Sequence, residues 1–144
     1  MNRIEFNKDG SYDVKPIIIH PDRKEMLNNN LLLFFTGFTR FSSDTQKANQ
    51  IEYQKKVKQL QQMYSLVDTA EKVLEDKYSD LDDFGRLLDE SWKLKRQTGG
   101  AITNEYINAL YKKGIMAGAL GGKLFGAGGG GFILFYVQPE KKKM

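Results

Sequence analysis

The segment that decides the fold is GGKLFGAGGGGFILFYV, residues 121–137. It ends a stretch, residues 114–131, in which nine of eighteen positions are glycine, and it continues into an apolar run at 132–137. An apolar run without polar alternation is typical of a central strand that is covered on both faces. The sequence therefore predicts a glycine-rich connection that leads into a buried strand.

The glycines match familiar phosphate-binding motifs in sequence but not in structural context. The pattern Gly126-x-Gly128-x-x-Gly131 would have to open a helix to bind a dinucleotide, and here it opens a strand. A Walker loop is excluded because Lys123 is followed by leucine, and a protein-kinase hairpin because fewer than fifteen residues follow. Two interpretations remain: a concave row of backbone amides for an anionic or hydroxyl-rich ligand, or a turn whose glycines only let another segment pack closely.

The chain before this segment divides into strands followed by helices. Extended runs at 3–6 and 14–19 flank the turn signal Asp9-Gly10, Pro21 breaks that pattern, and the apolar run at 31–35 predicts a buried strand. Apolar residues at steps of three and four predict three helices. We expect them at 43–77, from Ser79 or Asp80 onwards, and from Thr103 to Gly114, and this order of elements favours an α+β fold.

Composition narrows the class of protein. The 144 residues suit one domain, and the absence of cysteine excludes disulfides and thiolate metal sites, which favours a cytoplasmic location. No apolar run is long enough to span a membrane. The net charge of +4 comes from residues 97–144, with six Lys/Arg against two Asp/Glu, and half of those six lie in the tail at 141–143. We therefore expect no nucleic-acid partner, because a binder needs cations spread over one folded surface.

The glycine segment followed by an apolar strand resembles the third motif of the GHMP kinases, the superfamily of galactokinase, homoserine, mevalonate and phosphomevalonate kinases. The sequences TGFTR at 36–40, ESWKLK at 90–95 and GAITN at 100–104 are similar to those of the bacterial D-glycero-D-manno-heptose-phosphate kinases. The resemblance implies an antiparallel, ferredoxin-like sheet packed with helices. It also implies that residues 1–24 form a hairpin at the end of an absent N-terminal domain and that residues 25–144 form the C-terminal domain.

The resemblance implies a reaction as well. A kinase of this type moves the γ-phosphoryl group of ATP, with Mg²⁺, to a hydroxyl of a sugar phosphate such as D-glycero-D-manno-heptose 7-phosphate. Its serine-rich phosphate loop and its acidic catalytic residue lie in the N-terminal domain, so the catalytic residues are not assigned in this chain. We expect the 144 residues alone to be inactive, and we expect removal of a first domain to expose apolar surface that favours a homo-oligomer.

Several residues are candidates for substrate or phosphate binding. Arg40 could hold the substrate phosphate through both arms of its guanidinium group, or it could be a surface arginine paired with Asp44. Lys123 could supply a cation beside the glycines, or it could be a solvated lysine at a strand end. The other candidates are Thr36, Gly37, Gly126, Gly128, Gly129, Gly130 and Gly131.

Other polar residues have simpler explanations. Lys95 and Arg96 follow an apolar stripe and are expected to be a solvated helix end. Asp80, Asp82 and Asp83 start a helix, whose dipole accounts for them, so no metal site is assigned. Two alternatives to a heptose-phosphate kinase stay open: another GHMP kinase, for galactose, fucose or a mevalonate-type substrate, and a non-catalytic interaction module.

Overall fold

The computed structural model describes residues 1–37, 56–99, 102–126 and 128–142. Over these residues the chain forms an α+β fold, which confirms the expected class. The strands are β1 Asn2–Phe6, β2 Tyr12–Pro16, β3 Leu31–Phe35, β4 Gly121–Leu124 and β5 Phe132–Tyr136. The α-helices are α1 Pro21–Asn30, α2 Val57–Glu75, α3 Asp82–Arg96 and α4 Glu105–Met116, and a 3-10 turn follows at Pro139–Lys141. None of the described helices is long and apolar enough to cross a membrane.

The main sheet has three antiparallel strands in the order β3-β5-β4. The prediction that the strand at 31–35 is buried is wrong, because β3 lies at the edge of this sheet and four of its five residues are 44–53% exposed. Leu134 pairs with Leu33 on one side and with Lys123 on the other, so β5 is the central strand, as its apolar sequence predicts. The pairing of β3 with β5 brings the C-terminal end of β3 to the start of β5. The glycine-rich connection therefore lies beside Thr36 and Gly37, although ninety residues separate them in sequence.

The two faces of β5 belong to different cores. Ile133 and Phe135 point to a cluster that includes Trp92, with no exposed surface, and Tyr111 of α4. Tyr136 points to the opposite face and joins a cluster contributed by α1, α2 and the start of α3. The buried members of that cluster are Leu27, Leu74, Leu81 and Tyr136.

The first two strands form a separate hairpin that rests on α2. Arg3 donates to Asp68 at 2.6 Å and to Glu71 at 2.7 Å, and the hydroxyl of Tyr64 donates to Glu5 at 2.9 Å. Strand β2 begins at Tyr12 rather than at residue 14, because the turn around Gly10 places Tyr12 opposite Phe6. The hairpin exposes apolar side chains, Phe6 to 80%.

Helix α1 and strand β4 were not predicted. Pro21 begins α1 rather than interrupting structure, because proline at the first helical position has no amide that needs a partner. Strand β4 lies within the stretch predicted as a connection. Its Gly121 and Gly122 pair with β5, and they are glycines because the carbonyl oxygens of Gly85 and Leu134 take the space of their side chains.

The helix boundaries also differ from those predicted. Helix α4 continues through Gly114, where a Cβ would lie 2.4 Å from the Phe135 ring, and the left-handed Gly118 follows its end. It begins after Asn104, whose side chain accepts a hydrogen bond from the Ile107 amide. Helix α3 begins at Asp82, and Asp80 accepts from its amide. Of the helix predicted at 43–77, residues 43–55 lie outside the described residues and α2 covers 57–75.

Candidate functional site

The glycine loop, residues 126–131, connects β4 to β5. Its base is closed by the Phe125 amide, which donates to the Phe132 carbonyl at 2.8 Å. Four of its glycines, Gly126, Gly128, Gly129 and Gly131, have φ values between 81° and 114°. Because residues with a side chain rarely adopt this left-handed backbone conformation, the path of the loop depends on glycine.

One side of the glycine loop packs against the segment before α4. A Cβ on Gly128 would lie 2.7 Å from Ile102 Cα and 2.8 Å from its carbonyl oxygen, and the Gly129 amide donates to that oxygen at 2.9 Å. The close approach that the glycines permit is therefore partly internal packing, and Gly128, Gly129 and Gly130 are buried. Gly126 and Gly131 differ, since a Cβ on either would meet nothing within 4 Å.

Thr36 fixes the other side of the loop. It is 1% exposed, its amide and its hydroxyl each donate to the Gly131 carbonyl at 2.8 Å, and the Gly131 amide donates to the Thr36 hydroxyl at 3.1 Å. Gly37 follows with φ 91°, and a Cβ there would lie 3.9 Å from the Tyr106 hydroxyl. The structure thus brings Thr36, Gly37 and Gly131 together, whereas Arg40 lies outside the described residues.

Two lysines converge beside the glycine loop. Lys123 extends from β4 and donates to the Ser91 hydroxyl at 2.9 Å. Lys95, one helical turn after Ser91 on α3, donates to the Gly126 carbonyl at 2.6 Å. The expectation that Lys95 and Arg96 form a solvated helix end is wrong, because both residues are half-buried and Arg96 donates to the Asn108 side chain at 3.3 Å. The i, i+4 spacing of Ser91 and Lys95 was the signal available in the sequence, but only the pairing of β4 places Lys123 next to them.

The electrostatics of this lysine pair are unusual. Burial, followed by the nearby charge of Lys123, lowers the pKa of Lys95 to about 8, and burial lowers the pKa of Lys123 as well. Neither ammonium group forms an ion pair with a carboxylate in the part of the chain that the structure describes. The Lys95–Lys123 pair is therefore a partly desolvated positive centre suited to an anion.

This centre borders an open cleft. A cavity of about 600 Å³ lies between the hairpin, α2 and α3, and Ser91 and Lys123 line it together with Arg3. Apolar side chains of α2 and α3, among them Leu60 and Phe84, form much of the remaining wall. Lys123, the member of the pair that lines this cavity, thus lies next to a volume that could hold the organic part of an anionic ligand.

The acidic residues at the start of α3 have structural partners. Asp80 and Asp83 both accept from Arg86, and Asp82 accepts from the Tyr136 hydroxyl at 3.1 Å and from Gln138. Within residues 1–37, 56–99, 102–126 and 128–142, no group of three or more Asp, Glu or His side chains could hold a metal ion. The described residues therefore supply cations for an anion and no cluster of carboxylates for Mg²⁺.

The lowered pKa of Lys95 predicts a pH-dependent stability. Between pH 8 and the ordinary value of 10.5 the unfolded chain binds more protons at this residue, so its contribution to the free energy of unfolding rises with pH. We expect Lys95→Gln to stabilise the chain at pH 7 by about 1 to 2 kcal/mol, after allowance for solvent screening. This gain should shrink towards pH 9.5, as measured by urea denaturation.

Two controls define that test. Burial raises the pKa values of Tyr111 and Tyr136, so these two residues make the free energy of unfolding fall with pH only from near pH 10 upwards. Their contribution is the same in the wild type and in Lys95→Gln. Lys93→Gln removes a lysine from the same helix that is paired with Asp89 instead. Equal free energies of unfolding for the wild type and Lys95→Gln at pH 7 would show that Lys95 is not held in a costly environment.

Comparison with known proteins assigns the domain. The family model described as "GHMP kinases C terminal" matches residues 67–143, which include α3, α4, the lysine pair and the glycine loop. The chain belongs to the GHMP kinase family. The family resemblance inferred from the glycine segment is thereby confirmed.

Curated relatives of this GHMP kinase domain are longer proteins. It is 33% identical over 148 residues to D-glycero-alpha-D-manno-heptose 7-phosphate kinase of Campylobacter jejuni, an alignment that covers 95% of this chain and 42% of that kinase. It is 27% identical over 137 residues to the bifunctional fucokinase/GDP-fucose pyrophosphorylase of Arabidopsis thaliana, covering 90% of this chain and 12% of that enzyme. The chain thus spans less than half the length of either relative.

Solved structures agree on the fold of the domain. The mevalonate kinase of L. major in complex with R-mevalonate superposes with a TM-score of 0.75 at 20% identity, covering 98% of this chain and 41% of that one. A D-glycero-D-manno-heptose 1-phosphate kinase from Bacteroides thetaiotaomicron superposes with a TM-score of 0.60 at 25% identity, covering 99% and 36%.

Proposed function

We propose that this chain is the C-terminal part of an ATP-dependent kinase that phosphorylates a heptose phosphate, D-glycero-D-manno-heptose 7-phosphate. The observation that supports this most strongly is the 33% identity to a heptose 7-phosphate kinase along 95% of the chain. The reaction moves the γ-phosphoryl group of ATP to a sugar hydroxyl. Such transfer depends on positioning and charge neutralisation, which the glycine loop and the lysine pair are built to provide.

The proposal divides the chain in two. Residues 1–24, which contain the hairpin and the first turn of α1, would form the end of an N-terminal domain, and residues 25–144 would form the C-terminal domain. The hairpin supports this division, because a two-stranded sheet is marginal alone and this one exposes Ile4, Phe6 and Val14. The same exposed side chains support the expectation that the isolated chain associates with itself.

Several candidate residues have a proposed role around the glycine loop. Thr36, through its hydrogen bonds to Gly131, would hold the glycine loop against the phosphate loop of the N-terminal domain. The open sides of Gly126 and Gly131 would allow that approach, and Lys123 would add positive charge. Gly37, with φ 91°, would permit the turn after β3. The binding of the substrate phosphate by Arg40 stays a prediction.

ATP and Mg²⁺ would be bound mainly by the N-terminal domain. Among the described residues, the glycine loop is the element that would approach the phosphate groups of ATP, and these residues contain no carboxylate cluster for the metal. When bound, Mg²⁺ shields the phosphate oxygens of ATP during transfer. This chain's own part is to position the glycine loop and to supply cations from α3 and β4.

A chimeric kinase tests the proposal. The chimera is the Campylobacter jejuni heptose 7-phosphate kinase in which these 144 residues replace the 42% of that enzyme to which they align. We expect phosphate transfer from ATP to heptose 7-phosphate, with kcat/KM at least about 100-fold above that for galactose, fucose or mevalonate, since a site that binds a phosphate discriminates strongly against sugars without one. The readout is ADP release together with mass analysis of the product.

The isolated 144-residue chain is the matched comparison. We expect it to give no turnover with ATP and heptose 7-phosphate, because the phosphate loop is supplied by the N-terminal domain. Turnover by the isolated chain would overturn the domain assignment. A folded chimera that phosphorylates fucose best would favour the fucokinase alternative, which the 27% identity to the Arabidopsis enzyme supports. A folded chimera without any kinase activity would favour a non-catalytic interaction module.

A further inference from the structure

We infer that Lys95, Lys123 and Ser91 form a binding site for a phosphomonoester dianion, and that its occupant is the phosphate already present on the sugar acceptor. The inference deepens the proposed function and rests on it for the identity of the acceptor. The site itself rests on geometry. Two cationic side chains from different elements meet beside the glycine loop, each held in place by one hydrogen bond.

The lysine pair is pre-positioned for an anion. The Gly126 carbonyl holds the Lys95 ammonium against the loop, and Ser91 holds the Lys123 ammonium against α3. Each ammonium has three N–H donors, and the hydrogen bonds formed among the described residues use one of them. The remaining donors, and the rotatable hydroxyl of Ser91, are available to oxygen atoms of a ligand.

The charge of the site indicates the class of ligand. Two ammonium groups without a carboxylate partner in the described part of the chain match a group with two negative charges. A phosphomonoester carries about −1.5 to −2 at pH 7, whereas a carboxylate would neutralise only one lysine. Arg3 and Lys123 line the adjoining cavity of about 600 Å³, which leaves room for the sugar beside the phosphate.

The terminal phosphate of ATP has the same chemistry and is the alternative ligand for this site. The acceptor is favoured because Lys123 and Ser91 line the cleft between the hairpin, α2 and α3. A ligand in that cleft can place its phosphate on Lys123 and Ser91 while its other end extends along the cleft. Two measurements separate the sources.

The first measurement uses the 144-residue chain and needs no variant. The lysine side-chain signals are titrated by NMR over pH with inorganic phosphate, with heptose 7-phosphate and with ATP. An anion on the pair should raise the pKa of Lys95 from about 8 to about 9 or above. We expect saturable responses to phosphate and to heptose 7-phosphate, with tighter binding of the sugar phosphate. No response to any of the three would overturn the site, and tighter binding of ATP than of heptose 7-phosphate at Lys95 would overturn the assignment to the acceptor.

The second measurement uses the chimeric kinase. Lys95→Gln and Lys123→Gln should each raise the KM for heptose 7-phosphate by about tenfold or more, since a hydrogen bond to a charged group is lost, with the KM for ATP unchanged. Lys93→Gln, on the same helix but paired with Asp89, should change it by less than about twofold. An active chimera whose KM for heptose 7-phosphate is unaffected by Lys95→Gln and Lys123→Gln would overturn the inference and leave the proposed function intact. An inactive chimera, together with a phosphate response at Lys95 in the 144-residue chain, would overturn the proposed function and leave the phosphate site intact.

Discussion

Replacing Gly121 with alanine is expected to lower the free energy of unfolding by about 4 kcal/mol, at the upper end of single substitutions. A Cβ at this position would lie 1.9 Å from the Gly85 carbonyl oxygen and 2.9 Å from the Asp89 amide nitrogen. Both obstacles are backbone atoms of α3, which no rotamer change can move. The helix must therefore shift away from β4, and the packing of α3 on the sheet is lost with it.

Gly126→Ala is the matched control for this prediction. Gly126 has φ 81°, and a Cβ there would meet nothing within 4 Å, so the substitution adds backbone strain without a collision. We expect a loss of about 1 kcal/mol. Urea denaturation followed by circular dichroism gives both values. A Gly121→Ala protein no less stable than Gly126→Ala would show that α3 does not pack directly on β4.

Replacing Gly128 with alanine in the chimeric kinase is expected to lower kcat/KM by about 100-fold. The new Cβ would collide with the Ile102 backbone at 2.7 Å, and the residue would also be strained at φ 114°. The glycine loop must then move away from the segment before α4. A displacement of about 1 Å in a positioning element is enough for a loss of this size in an enzyme that works by alignment.

Gly10→Ala is the control for Gly128→Ala in the activity assay, because it adds backbone strain without a collision. Gly10 has φ 86° in the turn of the hairpin, and a Cβ there meets nothing within 4 Å. We expect its kcat/KM to stay within about twofold of the unsubstituted chimera, because surface changes of this kind have small effects. If Gly128→Ala retained full activity, the position of the glycine loop would have no part in phosphate transfer.

Local signals in the sequence predicted several elements correctly. The apolar run at 132–137 has no alternation, which requires cover on both faces, and β5 is the central strand with a separate core on each side. The spacing of Leu81, Phe84, Leu88 and Trp92 predicted α3, because that period places them on one face of a helix. The strand at Leu31–Phe35 was also predicted from its short apolar run, but its predicted burial was wrong, because β3 lies at the edge of the sheet.

Elements that depend on distant contacts were missed. Gly121 and Gly122 have no strand propensity of their own, and they form β4 through pairing with β5, while α3 and Phe135 occupy the space where side chains would be. Gly114 was predicted to end α4, yet the helix passes through it, and the Phe135 ring packed at 2.4 Å from the place of a Cβ explains why this residue is glycine. In each case the contacting residues are remote in sequence.

The sequence by itself determined the family, through a run of glycines before an apolar strand, and the α+β class, through the order of its periodic segments. Only the tertiary structure decided which cations lie beside the glycine loop. Lys95 and Lys123 stand 28 positions apart, and one was expected to be solvated at a helix end. Antiparallel pairing of β4 with β5 and the packing of α3 on β4 bring them together at the glycine loop, since a charge cluster depends on distances in space and not along the chain.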